Sequence, residues 1–525
     1  MSNFQLQVHG YLKPHWILSS ALLLSFAGCS SLPDTSLMNK PKSHAITDHK
    51  STSTAEFLEP VIEKNPGMSG FTLLRDGQNS FTARLTLIDQ ATRSLDLQYY
   101  IWASDATGRI LAERLVRAAD RGVRVRILID DNNNIGRDSA LASLSAHQNI
   151  EIRIFNPFSG RNSHLWDFIV DFDRVNHRMH NKILVMDNTV AIVGGRNIGD
   201  HYFNVDEHAN FRDLDVCAVG PIVPEVSGTF DSFWNGQWAV PIENLVEKKY
   251  SIEDLKAKVS ELRKTISSTP YPYPLEENID LAKSQLGEIR DNFVWGKGLV
   301  VHDNPDKLLN STSDTLGIKN RLINKLPSIK TSLHIESAYF VPNDAGVEQL
   351  IKLAKRGVTI KILTNSLSTN DVLAAHAGYA KFREQLLEKG IELFELKTDG
   401  DSDSGKVAII TYGKSKASLH TKAFAFDDDS VFIGSFNLDP RSANINTELG
   451  IYIENKELTK QLKDYMASGF SRASSYQVKL DENDKLYWLT NTNGEPEKLN
   501  LEPQTTGWQR FLSWLLKLLP IESQL

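Results

Sequence analysis

The chain has 525 residues, 41 % hydrophobic and 23 % charged, a balance that excludes fibrous and wholly disordered proteins and leaves room for several packed domains. A net charge of −7 and a pI near 6.1 count against a dedicated nucleic-acid binder, which needs a basic face. Two cysteines exclude a disulfide framework and a cysteine-rich zinc module.

In chain order, the first element is a targeting segment. Lys13 precedes a leucine-rich stretch, 16–27, that carries no charge. It falls short of the roughly 20 apolar residues of a permanent span and has the length of a signal-peptide core. It ends Phe26-Ala27-Gly28-Cys29, which resembles the lipobox of bacterial lipoproteins. That resemblance implies a signal peptide over 1–28 and a lipid on Cys29. Ser30 in place of Asp favours the outer membrane, on the periplasmic side of the bacterial cell envelope. A lipidated Cys29 leaves Cys217 without a disulfide partner. Ser, Thr and Pro make up 12 of the 25 residues in 30–54. Such a segment buries too little apolar surface to offset its ordering entropy, so 29–66 is expected to be a disordered tether, with order starting between Glu56 and Gly67.

Next comes a repeat. Ser94-Leu-Asp-Leu-Gln-Tyr-Tyr-Ile-Trp102 matches Ser332-Leu-His-Ile-Glu-Ser-Ala-Tyr-Phe340, and each reads as an alternating strand. A helical stretch follows each. Then Arg121-Gly122-Val-Arg-Val-Arg-Ile-Leu128 matches Arg356-Gly357-Val-Thr-Ile-Lys-Ile-Leu363, a helix-ending glycine before a β-branched strand. This is a duplicated α/β unit. Residues 67–242 form the first half, 243–290 a charged connection, and 291–478 the second half. A C-terminal extension covers 479–525.

Chemistry sits at matching places in the halves. His180-Asn-Lys182-Ile-Leu-Val-Met-Asp187 and His420-Thr-Lys422-Ala-Phe-Ala-Phe-Asp427 share the pattern H-x-K-x4-D. Gly194-Gly195-Arg196-Asn197 and Gly434-Ser435-Phe436-Asn437 follow, each starting 14 residues after its histidine. An isolated His-x-Lys is usually a surface strand feature; duplication with identical followers overturns that reading. His and Lys, two apart, share a strand face. Asp187 and Asp427 lie at odd offset and are expected to tie down the hairpin turns as structural residues. Gly195, Ser435, Asn197 and Asn437 are expected to bind a phosphate oxygen, small residues allowing close approach.

Two His, two Lys and two Asn suit phosphodiester chemistry. One imidazole attacks phosphorus while the other protonates the leaving alcohol, and lysine and amide donors hold the developing charge. No metal and no other cofactor is called for: the sequence has no carboxylate cluster of the magnesium-binding kind. Each histidine needs an acid to fix its tautomer. Asp213 and Glu448 occupy matching strand entries, with Asp215 the rival in the first half.

The doubled H-x-K-x4-D with G-[GS]-x-N resembles the phospholipase D superfamily. Runs at 97–102, 130–133, 155–158, 194–200, 364–371 and 434–442 are similar to those of bacterial cardiolipin synthases, closest to the C type. The resemblance implies an α/β fold: two tandem α/β/α sandwich halves with pseudo-two-fold symmetry and one shared active site. It implies phosphatidyl transfer to phosphatidylglycerol, with phosphatidylethanolamine as a possible donor, His180 as nucleophile and His420 as general acid. It also implies crossed pairing, Glu448 with His180 and Asp213 with His420. A hydrolytic phospholipase D uses the same residues with water as acceptor. A nuclease of the superfamily is disfavoured by charge, so phospholipids and a membrane surface, not nucleic acid, are the expected partners. Cardiolipin synthases of the first type carry transmembrane helices where this chain has a lipobox.

The last element, 508–519, is expected to be a short amphipathic helix about 18 Å long, with Gln509, Arg510, Ser513 and Lys517 on one strip and Trp508, Phe511, Trp514 and leucines on the rest. Such a helix suits the membrane interface.

Overall fold

The computed structural model describes residues 38, 40–272, 279–308, 317–399, 416–492 and 495–519. The signal segment and Cys29 lie outside the described residues.

The strands of the first half are β1 (Ser69–Leu74), β2 (Ser94–Tyr99), β3 (Arg124–Asp130), β4 (Ile150–Phe155), β5 (Ile183–Met186), β6 (Val190–Gly194), β7 (Ala209–Arg212), β8 (Asp215–Val219) and β9 (Ala239–Pro241). β10 (Val294–His302) opens the second half. There follow β11 (Ser332–Ser337), β12 (Thr359–Asn365), β13 (Glu392–Leu396), β14 (Lys416–Leu419), β15 (Lys422–Phe426), β16 (Ser430–Gly434) and β17 (Leu449–Glu454). β18 (Ser475–Leu480), β19 (Leu486–Thr492) and β20 (Glu495–Leu499) complete it.

The first sheet runs β9-β4-β3-β2-β5-β6-β8-β1. β2, β3 and β4 are parallel and the remaining neighbours antiparallel. The second sheet repeats the pattern as β17-β16-β15-β11-β12-β13-β18-β19-β20, with β11, β12 and β13 parallel. β10 fuses them: it pairs with β1 through its first residues and with β17 through the rest. A separate parallel pair, β7 with β14, also crosses between the halves.

Burial on both faces explains the strand sequences. In β3, Val125, Ile127 and Ile129 point into one core and Leu128 into another. The central core is shared: Val185, Ala191, Val193 and Val216 pack with Ala423, Ala425, Val431 and Ile433. Helices Ile222–Trp234 and Lys456–Gly469 close this core. The two halves are therefore one packed body, and the cleft between them has fixed walls.

The connection keeps its expected bounds and helical character, while two other boundaries move. The connection forms helices Ile252–Ser268 and Ile279–Asp291, which pack on first-half helices. The C-terminal extension begins inside β18, and β19 and β20 lengthen the second sheet. The tether is the clearest correction, since its residues from 40 onward run along the first half and bond to it. Pro41 O accepts from Arg153 Nη2 at 2.6 Å and Ser43 O accepts from Arg126 Nη1 at 2.9 Å. Ala45 N donates to Asp231 at 2.8 Å, and Ser53–Glu63 is a helix capped by Thr52. Buried guanidinium groups need acceptors, and this polar backbone supplies them where composition gave no sign of it.

Candidate active site

The two motifs stand in matching positions. His180 and Lys182 precede β5, and His420 and Lys422 lead into β15. Hairpins β5–β6 and β15–β16 turn through Asp187 at φ +52° and Asp427 at φ +49°. The Asp187 carboxylate accepts from the amides of Thr92, Arg93 and Ser94. Asp427 accepts from those of Lys330, Thr331 and Ser332. Both clamp the chain entering the neighbouring parallel strand and point away from the histidines.

Backbone bonds stitch each motif to the opposite half. His180 N donates to Thr447 O at 2.9 Å, and His420 N donates to Arg212 O at 2.8 Å. The side chains follow. His180 Nδ1 lies 2.9 Å from Glu448 Oε2, and His420 Nδ1 lies 2.6 Å from Asp213 Oδ2. The acids cross between halves, as the family resemblance implies. A carboxylate only accepts, so each Nδ1 donates and each Nε2 keeps its lone pair. The rival Asp215 faces elsewhere, held by Arg84 at 3.0 Å, Arg196 and Ser80.

Burial dominates the electrostatics. It pushes the His180 imidazole down to about 4, against the pull of Glu448. Burial and then the charges of Lys422, Lys182 and His180 hold His420 well below its ordinary value. Burial lowers Lys422 to about 8 despite Asp213 and Glu448, and takes Lys182 well below the usual lysine range. Burial works against the Glu448 charge, yet His180, Lys182 and the Ser435 hydroxyl keep its carboxyl below the usual range. Asp213 is raised by burial, against Lys422 and Arg196. Each lysine donates to the carbonyl of its own motif histidine.

The expected phosphate set needs correction. Ser435 Oγ donates to Glu448 Oε2 and accepts from Leu449 N, so it braces the carboxylate. A Cβ on Gly195 would meet Asp213 Oδ1 at 2.1 Å, so this glycine makes room for the other carboxylate. Asn197 is committed at both ends of its amide, accepting from Ile101 N at 3.1 Å and donating to Tyr202 Oη at 2.9 Å. Spacing places Ser435 and Gly195 beside the site without a sign that they face the acids, and Asn197 beside it without a sign that it bonds Tyr202. Asn437 differs: its Oδ1 is buried with no hydrogen-bond partner among the described residues.

Two tyrosines were missed. Tyr100 meets the His180 ring edge-on and Tyr202 meets that of His420, each with centroids 5.1 Å apart. Lys182 Nζ lies 5.5 Å from the Tyr100 ring centre. Tyr100 belongs to the run at 97–102, so the family resemblance marked the segment without giving it a role. Asp130 accepts from Met179 N at 2.8 Å and from Arg178, fixing the approach to His180. Asp303 accepts from Glu448 N at 3.1 Å. Among the described residues, no group of three or more His, Cys, Asp or Glu could hold a metal ion.

The family model described as "Cardiolipin synthase, PLD-like domain" matches residues 85–234 and again 322–469. The chain is 38 % identical to cardiolipin synthase C of Escherichia coli (strain K12), over 89 % of this chain and 98 % of that protein. It is 25 % identical to a cardiolipin synthase of Clostridium perfringens (strain 13 / Type A), over 81 % of this chain and 76 % of that protein. The crystal structure of phosphatidylserine synthase from Haemophilus influenzae Rd KW20 has the same fold, with a TM-score of 0.57 at 14 % identity, covering 90 % of this chain and all of that one.

Proposed function

The chain belongs to the phospholipase D-like cardiolipin synthase family, and on that footing we propose that it makes cardiolipin by moving a phosphatidyl group onto phosphatidylglycerol. The crossed histidine–carboxylate pairs carry this reading. They leave two Nε2 atoms, each with its tautomer set, and the proposed reaction brings both to one phosphorus beside Lys182 and Lys422.

In the first step His180 Nε2 attacks the donor phosphorus. The phosphorus–oxygen bond to the headgroup breaks as His420 Nε2 gives its proton to the leaving oxygen. In the second step His420 takes the proton of the phosphatidylglycerol hydroxyl. That oxygen attacks phosphorus, and the phosphorus–nitrogen bond to His180 breaks. The ammonium groups of Lys182 and Lys422 and the Nδ2 donor of Asn437 steady the phosphoryl oxygens. The depressed His180 keeps the nucleophile neutral at neutral pH. His420 must be protonated to act as acid. An anionic phosphodiester between the lysines offsets the positive charges that depress it, so substrate binding raises its affinity for a proton.

Among the described residues, no helix is long and apolar enough to cross a membrane. The proposed attachment is a lipid on Cys29, in the outer membrane with the domains in the periplasm. The helix Gly507–Lys517 supports it: Trp508, Phe511 and Trp514 are exposed while Ser513 is buried. The apolar face points outward, the reverse of a helix that completes a core.

The test is to incubate purified protein with labelled phosphatidylglycerol, with and without phosphatidylethanolamine. Labelled cardiolipin, and a phosphatidyl adduct trapped on His180, are expected. Phosphatidic acid alone makes the enzyme a hydrolase, and an adduct on His420 reverses the roles.

A further inference from the structure

We propose that the loop 165–172 inserts into a phospholipid bilayer and sets the mouth of the cleft against the lipid surface, an inference that rests on the phospholipid reading above. This surface loop, which holds the one-turn helix Asp167–Val170 and ends at the start of the helix Phe172–Val175, reads Leu-Trp-Asp-Phe-Ile-Val-Asp-Phe. Leu165 is 71 % exposed, Trp166 54 %, Ile169 65 % and Val170 57 %, and Phe168 and Phe172 are exposed too. Asp167, inside the same run, is only 1 % exposed. Its carboxylate turns inward and accepts from Ser159 N at 2.7 Å and Gly160 N at 3.0 Å. Asp171 pairs with Arg174 at 2.6 Å. A folded surface loop normally buries its apolar side chains and wets its charges; this one does the opposite, in one contiguous patch.

The patch is held firmly and near the chemistry. Arg174 donates to Asn156 Oδ1 at 2.7 Å, and Asn156 donates to His177 O at 2.8 Å. Arg178 donates to Asn156 O at 2.9 Å, two residues before His180. Asn176, just beyond the loop, bonds Arg441 of the second half. The loop therefore stands on the wall of the cleft, past the carboxyl end of β4.

Three observations select a bilayer as the occupant. No Lys or Arg lies between 165 and 172, so the patch complements hydrocarbon and glycerol depth, not a charged partner. The second half exposes its own Trp and Phe face on Gly507–Lys517, and the approach to that helix is tied by Gln504 to Thr398 and Asp399, past the carboxyl end of the parallel strand β13. Apolar anchors thus flank the same strand-end rim in both halves. Finally, the 11 residue steps from Cys29 to Lys40 reach at most about 40 Å when extended. Pro41 is bonded to Arg153 on β4, the strand that leads to the loop. A lipid on Cys29 keeps this edge of the molecule close to the membrane.

An environment-sensitive fluorophore on Ile169→Cys in the full chain reads insertion directly. With vesicles of phosphatidylethanolamine and phosphatidylglycerol, a blue shift and quenching by brominated acyl chains are expected, both insensitive to salt. No shift overturns the proposal. A shift without vesicles that grows with protein concentration means a second copy covers the loop, and also overturns it. The variant L165S/W166S/I169S/V170S should lose at least tenfold of its rate on vesicles and stay within twofold on dihexanoyl-phosphatidylglycerol, which needs no bilayer. Equal losses on both overturn it. The fluorophore reports insertion even if no transfer occurs, so failure of the enzymatic reading remains distinguishable from failure of this one.

Discussion

The two halves hold their histidines by different means. In the second half a long acid, Glu448, is braced by the Ser435 hydroxyl. In the first half a short acid, Asp213, fits against the bare Cα of Gly195 and accepts from Leu214 N at 2.8 Å. Acid length and the residue at the second glycine position have been exchanged together. The lesson is that G-[GS]-x-N encodes the seat of the orienting carboxylate, and the conserved output is a carboxylate at hydrogen-bond distance from Nδ1.

Breaking both halves at the histidines gives the largest effect. His180→Ala and His420→Ala should each lower transfer by at least about 10⁴-fold, with an unchanged circular dichroism spectrum. A variant that keeps a tenth of its rate breaks the shared-site model. Next come the acids. Asp213→Asn and Glu448→Gln keep shape but remove the charge that fixes the tautomer, and each should cost about 10³-fold in kcat. If one is silent, the halves are not equivalent.

The exchange itself can be tested. Gly195→Ser places a Cβ 2.1 Å from Asp213 Oδ1, so the acid must leave His420; a loss of about 10²-fold is expected. Ser435→Gly only removes one bond to Glu448 and should cost about tenfold or less. Steady-state kinetics on the pair decides whether the two positions are seats for acids or phosphate ligands, since a phosphate role makes the serine variant the worse one.

How much of this was legible depends on what repetition reveals. The sandwich halves, the motif pairs and the two acids stand out because each occurs twice at matching offsets. The duty of Gly195 and Ser435 does not, because spacing places a small residue beside the site without saying whether it faces ligand or carboxylate. Tyr100 and Tyr202 are not repeat partners, so no offset exposes them. The bonded segment from 40 to 63 was hidden because its partners, buried Arg126 and Arg153, lie far away in sequence and their need for acceptors exists only in the folded state.

The lysines sharpen the comparison through pH. Lys422 is held at about 8 by burial. Its cationic form, which the proposed hold on a phosphoryl oxygen requires, is lost as pH rises through that value. The kcat/KM profile should therefore fall severalfold between about pH 7.5 and 9. Lys422→Arg, which stays charged, should move that limb beyond about pH 10 in whatever activity remains. A limb that does not move assigns the titration to another group.

The smallest effects are expected at the motif aspartates, and they concern stability. Asp187 is fully buried and accepts from three successive amides and the Thr92 hydroxyl at 2.9 Å. Asp187→Ala leaves those donors unsatisfied in the interior and should destabilise by about 2–3 kcal/mol. Asp427 makes an equivalent clamp near the surface, where water replaces what is lost, so Asp427→Ala should cost about 1 kcal/mol. Burial opposes the Asp427 charge more than any one bond favours it, but the amides of Thr331, Ser332 and Lys330 together hold its carboxyl below the ordinary value of 3.8. A depressed acid stabilises the fold above its unfolded pKa and loses that contribution as pH falls through the folded one. The difference between wild type and Asp427→Ala should thus be constant above about pH 5 and shrink below about pH 4 in denaturant titrations. In both variants the rate per folded molecule should stay within about threefold of wild type. A loss of 10²-fold at either aspartate without loss of stability would place it in the chemistry and end the assignment of these residues to the hairpin clamps.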